Sequence, residues 1–519
     1  MMKDLTSSVY TFEDLIKNNF LYVDKTDYIW ELIRPGKAMY FMSRPRRFGK
    51  SLTVSTLDAI FHGKRELFKG LAIDAKPYDW KAYPVIYLDF ADRKADTPQH
   101  LEQSLQEALK ESSIRLGVTL TTDNAQSQFR ELVLSASKSG EVVILIDEYD
   151  KPILGNVANP QANEILKLLK GFFSVIKATA SLQRFVFMTG VSKFAHVSVF
   201  SDLNNLTDIT MAAEYATMLG YTQEELEANF LERIEKVAKR QGIAQIELLD
   251  KMKDWYNGYR FHAKSATVYN PVSIAQFFNR QGEFNNYWFS TGTPTFLLEL
   301  AKKNQFDFER ALTQPVSAIA FDSYEVDNID PLALLLQTGY LTIKSSFSEF
   351  NRELYRLGFP NLEVKSAFDT YLLNHYTSIS RENIDTTGME LARLVCAGKV
   401  DEFMETLKNF FARIPYGIHV KEEKYYQTIF FMVFMMLGIY IEAESQTGDG
   451  RIDAVALSGE WLYIFEFKLD KDAETAIAQI KNKEYFRKYS NSGKKIVLIG
   501  ANFDSEKGQI TKWLSEELA

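Results

Sequence analysis

The fold of this chain is decided by residues 38–61, which read AMYFMSRPRRFGKSLTVSTLDAIF. An apolar run of strand length, residues 38–42, leads into a polar loop that ends in Gly-Lys-Ser, and a helical stretch follows at once. The N-terminus of a helix presents free backbone N–H groups and the positive end of the helix dipole to an anion. This order of strand, loop and helix therefore predicts a phosphate-binding loop for ATP.

The chemistry of the loop is carried by two residues. We expect Lys50 to reach the terminal phosphates of the nucleotide and Ser51 to bind Mg²⁺. The other loop residues expected at the nucleotide are Arg46, Arg47, Phe48, Gly49 and Leu52. The two arginines contact phosphates or a neighbouring domain, or are simply solvated. The usual pattern has a glycine where Arg44 stands, so the start of this loop is atypical.

A second strand supplies acidic partners for the loop. Residues 142–146 form a continuous apolar run, typical of a strand buried on both faces, and Asp147 and Glu148 follow it. Asp147 is expected to hold Mg²⁺ and Glu148 to orient or deprotonate the attacking water. The alternative is an ordinary acidic turn. A further strand, residues 185–188, ends before Thr189 and Ser192, either of which is a candidate sensor of the γ-phosphate or part of a plain turn.

Composition limits the class of protein. The chain has 519 residues, a formal charge of −8 and one cysteine, Cys396. Its negative net charge argues against a surface that is basic throughout and binds nucleic acid without specificity. A single cysteine excludes both an internal disulfide framework and a cysteine-based zinc site. The N-terminus lacks the apolar run of a signal peptide. We therefore expect a soluble cytoplasmic protein.

A second constellation of charged residues lies near the C-terminus. Residues 450–468 read GRIDAVALSGEWLYIFEFK, which predicts a hairpin with a turn at residues 458–460. Strand alternation puts Glu466 and Lys468 on one face, where Asp453 of the paired strand can meet them. Two carboxylates would hold Mg²⁺ and the lysine would position water for phosphodiester hydrolysis. The alternative is a solvated face that happens to alternate.

Much of the chain resembles a known family. The matching stretches are YVDKT at 22–26, RPRRFGKS at 44–51, DEYD at 147–150, TGVS at 189–192, FSDLNN at 200–205, WYNGY at 255–259 and STG at 290–292. They are similar to bacterial AAA-ATPase-like proteins that carry a C-terminal nuclease domain of the PD-(D/E)XK superfamily. The resemblance implies an added strand between the two nucleotide-binding strands. It also implies that Glu423 and Gln479 belong to the nuclease site; Ile452, where proline is usual, is a departure.

The resemblance and the periodicity together predict an α/β architecture: a P-loop NTPase domain with a helical lid and a winged-helix-like module, plus a C-terminal α/β restriction-endonuclease-like domain. The expected segments are 1–220 for the ATPase-like domain, 221–310 for the lid, 311–383 for the winged-helix-like module and 384–519 for the nuclease-like domain. Within the last segment the pattern predicts a helix over 473–489 and a strand over 495–499.

The function expected from these sites is ATP hydrolysis coupled to metal-dependent cleavage of nucleic acid, with DNA as the expected substrate and ATP and Mg²⁺ as cofactors. Homo-oligomer formation stays open. One alternative is an NTP-driven switch or signalling ATPase whose C-terminal domain binds nucleic acid without cutting it. A second is an interaction protein with a vestigial P-loop. The presence of Asp453, Glu466 and Lys468 argues against the first alternative. The presence of Lys50, Ser51, Asp147 and Glu148 argues against the second.

Overall fold

The computed structural model describes residues 2–156, 159–193, 205–288, 295–303, 306–321, 330–415, 423–437, 440–447, 450–490 and 492–518. The chain forms two compact units. The first comprises Met1–Leu297 and Gln314–Val364, and the second Leu298–Thr313 and Lys365–Ala519. The division into four segments stays a prediction. Among the described helices, none is long and apolar enough to cross a membrane.

The first unit is built on a parallel five-stranded sheet. Its strands are β1 (Ala38–Ser43), β2 (Val85–Asp89), β3 (Val142–Asp147), β4 (Gln183–Gly190) and β5 (Thr207–Asp208). Their order is β2-β3-β4-β1-β5, and every neighbouring pair is parallel. All residues of β3 and β4 are buried, as expected for strands covered on both faces. The three strands predicted here, at residues 38–42, 142–146 and 185–188, are confirmed, and β4 lies between β1 and β3 as the resemblance implied.

Helices connect these strands and cover the sheet. They are Phe12–Lys17, Thr26–Ile33, Lys50–Phe61, Pro98–Leu116, Ala125–Ala136, Lys151–Leu154 and Ala162–Ala178. The longest, Pro98–Leu116, starts at Thr97, whose side chain accepts a hydrogen bond from the His100 backbone N–H, and it ends at the left-handed Gly117. The N-cap and the C-terminal glycine satisfy backbone groups that the helix leaves free, which explains these bounds.

The predicted helical stretch after residue 221 is confirmed. Three helices, Gln223–Gln241, Gln245–Tyr256 and Pro271–Asn279, pack their apolar faces into one buried cluster. The first of them begins at a capping box formed by Thr222 and Glu225.

A small antiparallel sheet follows within the first unit. It contains β6 (Val316–Ser317), β7 (Thr342–Glu349) and β8 (Arg352–Gly358) in the order β6-β8-β7. The helix Pro331–Gln337 precedes the β7–β8 hairpin, and the helix Leu362–Thr377 follows it. This hairpin and the two helices lie in the segment 311–383, where the winged-helix-like module is expected.

The second unit contains another five-stranded sheet. Its strands are β9 (Tyr440–Thr447), β10 (Gly450–Ser458), β11 (Trp461–Leu469), β12 (Lys495–Asp504) and β13 (Gln509–Leu518). Their order is β13-β12-β11-β10-β9, with β11 and β12 parallel and the other pairs antiparallel. The predicted hairpin is confirmed.

The helices that complete the description are Thr295–Lys303, Phe308–Thr313, Arg381–Cys396, Val400–Ala412, Glu423–Met436 and Ala473–Asn482. The helix predicted over 473–489 ends earlier, at Asn482, because Glu484 adopts a left-handed backbone with φ 47°. A 3₁₀ turn, Tyr485–Tyr489, covers the rest of that stretch.

Candidate functional site

The loop after β1 has the backbone expected of a phosphate cradle. Gly49 has a φ of 96°, which glycine adopts without strain, and the helix Lys50–Phe61 begins at the next residue. The Lys50 side chain is 6% exposed, and its Nζ donates to the carbonyl oxygens of Arg44 (3.0 Å) and Pro45 (3.1 Å). Burial lowers the pKa of Lys50, while nearby carboxylates oppose that shift. The loop therefore folds around a cation.

Arg44 has a structural reason to stand where glycine is usual. Its guanidinium is buried and donates to the carbonyl oxygens of Ser43 (3.0 Å), Thr210 (2.5 Å) and Tyr215 (3.0 Å). The same group lies over the ring of Phe261, 4.2 Å from its centroid. Arg44 thus fastens the start of the loop to the chain that follows β5.

The other loop residues differ in exposure. Arg46 and Arg47 are exposed, and Leu52 is half-buried in the first turn of the helix. Phe48 is buried, with its ring centroid 4.8 Å from that of Tyr259. Phe48 is therefore an anchor of the loop in the core, whereas the two arginine side chains are open to solvent.

Asp147 ends β3 beside the loop. Its side chain is 2% exposed and lies close enough to the Ser51 hydroxyl to interact with it electrostatically. Burial raises the pKa of Asp147 to about 6, although Ser51 and Lys50 lower it. Glu148 is half-buried, has a left-handed backbone with φ 51°, and lies 3.6 Å from the Lys151 ammonium. The predicted oxygen ligands Ser51 and Asp147 are thus together.

The chain after β4 is held against the end of β3 by Asp150. This buried carboxylate accepts hydrogen bonds from the backbone N–H groups of Val191 (3.0 Å) and Ser192 (2.7 Å) and from the Ser192 hydroxyl (2.8 Å). Of the two predicted sensors, Ser192 is therefore engaged with Asp150. The Thr189 hydroxyl is buried and has no hydrogen-bond partner among the described residues.

In the second unit three predicted residues converge. Glu466 of β11 is 1% exposed, and the Lys468 ammonium lies 2.7 Å from its Oε1. The Gln479 amide donates to the same oxygen, and its Nε2 lies 3.4 Å from the Tyr485 hydroxyl. Burying Glu466 requires such compensation, because an isolated charge inside a protein is costly.

Gly500 explains how the helix that carries Gln479 reaches the sheet. This glycine pairs with Glu466 in the β11–β12 register. A Cβ at Gly500 would lie 2.7 Å from the Ala473 carbonyl oxygen and 2.7 Å from the Ile477 nitrogen. The helix backbone therefore packs directly on the strand, which places Gln479 within hydrogen-bond reach of Glu466.

The two remaining predicted acidic residues are described by their backbones alone. Asp453 lies in β10 directly before Ala454, and Ala454 pairs with Phe465, the residue directly before Glu466. Glu423 is the first residue of the helix Glu423–Met436. Their side chains lie outside the described set. Among the side chains within that set, no three His, Cys, Asp or Glu groups gather at one point.

Comparisons with known proteins agree with this geometry. The profile of a family described as "Predicted AAA-ATPase" matches residues 7–200, and that of the "PD-(D/E)XK nuclease superfamily" matches residues 421–513. An "Uncharacterized protein in vnfD 5'region" of Azotobacter chroococcum mcd 1 is 36% identical over 529 residues, which cover 99% of each chain. This chain belongs to the AAA-ATPase-like proteins with a C-terminal PD-(D/E)XK nuclease superfamily domain. The resemblance stated from sequence is confirmed.

Two motifs of this AAA-ATPase-like chain fall mostly outside the described residues, at 200–204 and 290–292.

Sequence reasoning also missed contacts at the loop. The carbonyl oxygen of Arg46 accepts hydrogen bonds from Trp288 Nε1 (3.0 Å) and Asn270 Nδ2 (3.4 Å). Glu363, which is fully buried, accepts from the Trp288 backbone N–H (2.7 Å). No local sequence pattern identifies these residues.

Proposed function

We propose that the N-terminal domain binds and hydrolyses ATP and that the C-terminal domain cleaves nucleic acid, with DNA as the favoured substrate. The observation that carries the first half is the conjunction of Lys50, Ser51 and Asp147 at the end of β1 and β3. A cation, a hydroxyl and a carboxylate meet there at the N-terminus of a helix. This combination suits a nucleoside triphosphate better than a neutral ligand.

Each residue of the ATP site has a distinct role in the proposal. Lys50 exchanges the carbonyl oxygens of Arg44 and Pro45 for phosphate oxygens when the nucleotide enters. Ser51 and Asp147 would hold Mg²⁺, which supplies charge neutralisation at the phosphates. Glu148, at the solvent-facing end of β3, orients the attacking water and accepts its proton. The Thr189 hydroxyl, which is buried without a described partner, is the better candidate for a γ-phosphate contact.

The nuclease half rests on the cluster of Glu466, Lys468 and Gln479. Asp453 and Glu466, with the carbonyl of Phe467, would hold a divalent metal ion, which offsets negative charge on the phosphodiester. Lys468 positions the attacking water and stabilises negative charge beside it. Gln479 keeps the Glu466 carboxylate in a fixed orientation by its hydrogen bond to Oε1. Glu423 is proposed to complete the acidic side of the site.

Nucleotide binding is tested with Lys50→Ala, with the exposed Lys69→Ala as the control. A charged hydrogen bond contributes about 1.5–3 kcal/mol, so Lys50→Ala should weaken ATP binding roughly tenfold to a hundredfold in calorimetry. Glu148→Gln should bind ATP like the parent and hydrolyse it about 10²- to 10⁴-fold more slowly. Unchanged ATP affinity in Lys50→Ala would disprove the P-loop assignment.

Cleavage is tested on labelled DNA and RNA with Mg²⁺ or Mn²⁺, with and without ATP. Asp453→Ala and Lys468→Ala should lose cleavage while ATP hydrolysis survives, and Lys471→Ala, at an exposed neighbouring lysine, should cut like the parent. The switch alternative predicts a parent that hydrolyses ATP and binds nucleic acid yet cuts no substrate with either metal. That result would reject the nuclease half of the proposal and leave the ATPase half standing.

A further inference from the structure

Two buried side chains from outside the phosphate loop hold one of its carbonyl groups. Trp288 is 5% exposed and donates from Nε1 to the Arg46 carbonyl oxygen at 3.0 Å. Asn270 is fully buried and donates from Nδ2 to the same oxygen at 3.4 Å. Both lie more than 200 residues after the loop. A carbonyl group that accepts hydrogen bonds from two separately anchored donors is held in one direction.

The direction of this carbonyl sets the direction of the next backbone N–H. The Arg46–Arg47 peptide is trans, so its N–H points opposite to its C=O. The carbonyl oxygens of Arg44 and Pro45 turn instead toward Lys50 Nζ. Arg47 has a left-handed backbone with φ 67°, which reverses the chain at this point. The Arg47 N–H is therefore directed away from Trp288 and Asn270.

Each donor is itself held in place. The Trp288 ring lies 5.2 Å from that of Tyr340, and its backbone N–H donates to Glu363 at 2.7 Å. Asn270 caps the helix Pro271–Asn279, because its Oδ1 accepts from the backbone N–H groups of Val272 and Ser273. Neither side chain can turn away without breaking these contacts, so both present their N–H groups to the loop in a fixed geometry.

We propose that Trp288 and Asn270 are positioning residues for ATP, which hold the Arg46–Arg47 peptide so that the Arg47 N–H faces the phosphates. This inference rests on the proposed ATP site. Oriented loop N–H groups bind phosphate oxygens in the ground state and in the transition state alike. Loss of the orientation therefore weakens binding and leaves the chemical step nearly unchanged, which appears as a raised KM at constant kcat.

The test is steady-state ATP hydrolysis by the full-length chain. Trp288→Phe keeps an aromatic ring and the backbone bond to Glu363 but removes the Nε1 donor. We expect its KM for ATP to rise about tenfold, equivalent to about 1.4 kcal/mol, with kcat within about twofold of the parent. The control is Trp255→Phe, because Trp255 packs on Tyr256 and Phe284 in the helical cluster; both constants should stay at the parent values.

Asn270→Asp provides an independent variant, since the carboxylate keeps the helix cap and loses the Nδ2 donor. Its KM should also rise several-fold, and it decides the question if Trp288→Phe does not fold. A lower kcat at unchanged KM would indicate a smaller folded fraction and would overturn the inference, as would parent values of both constants. If the parent itself neither binds nor hydrolyses ATP, the proposed function fails with it. If Lys50→Ala weakens ATP binding as expected but Trp288→Phe and Asn270→Asp do not affect KM, only the inference fails.

Discussion

Replacing Glu363 with glutamine is expected to stabilise the first unit at neutral and alkaline pH but not at acidic pH. The carboxyl group is fully buried and accepts hydrogen bonds from Ser273 Oγ (2.8 Å) and the Trp288 backbone N–H. Burial raises its pKa from 4.5 to about 7, although these donors lower it. Tyr256 and Tyr259 interact with it electrostatically and stay neutral over this range, because burial raises their pKa values further.

The size and sign of the effect follow from this shift. The folded state binds the proton more tightly than the unfolded state, so the contribution of Glu363 to stability is complete below pH 4.5. That contribution is lost as the pH rises through about 7. The difference between a pKa of 4.5 and one of about 7 corresponds to roughly 3 kcal/mol. For a unit of roughly 350 residues, this is a change in melting temperature of about 5 °C. Glutamine does not ionise, so Glu363→Gln does not lose this stability as the pH rises.

The assay is differential scanning calorimetry of the parent and Glu363→Gln between pH 5 and pH 8. The difference in melting temperature should widen with pH in favour of the variant and become constant above about pH 8. Glu353→Gln, at an exposed position in β8, is the matched control and should follow the parent. A difference in melting temperature that does not change between pH 5 and pH 8 would refute the argument that ionisation of the buried Glu363 destabilises the folded state.

Two glycine substitutions test close backbone approaches. Gly190→Ala would place a Cβ 2.5 Å from Asp150 Oδ1, so we expect a loss of about 1–3 kcal/mol in stability and a lower ATPase rate. The control is Gly171→Ala, whose Cβ would lie no closer than 3.4 Å to a neighbouring atom, and which should be neutral or stabilising. Gly500→Ala would push away the helix that carries Gln479. Nuclease assays should then show at least a roughly tenfold loss while ATP hydrolysis is retained, and full cleavage activity would contradict the role given to this contact.

Local patterns determined a large part of this protein. The strand before Gly49, the continuous apolar run before Asp147 and the alternation around Glu466 are all readable within about ten residues. Each depends on periodicity and helix-terminus chemistry, which act over short stretches of chain. Strands β9 and β13 were missed. β13 is an edge strand whose last four residues, Ser-Glu-Glu-Leu, include three polar ones, so its pairing with β12 is what makes it a strand.

Tertiary structure alone decided how the sites are held. In the sequence Arg44 is only an atypical residue of the loop, whereas in the structure the carbonyl oxygens of Thr210 and Tyr215 accept hydrogen bonds from its guanidinium. Trp288 and Asn270 reach the Arg46 carbonyl across more than 200 residues, and Gly500 matters only because a helix backbone packs on it. The physical reason is the same in each case. A buried polar group needs a partner wherever the fold can supply one, and sequence distance carries no information about that partner.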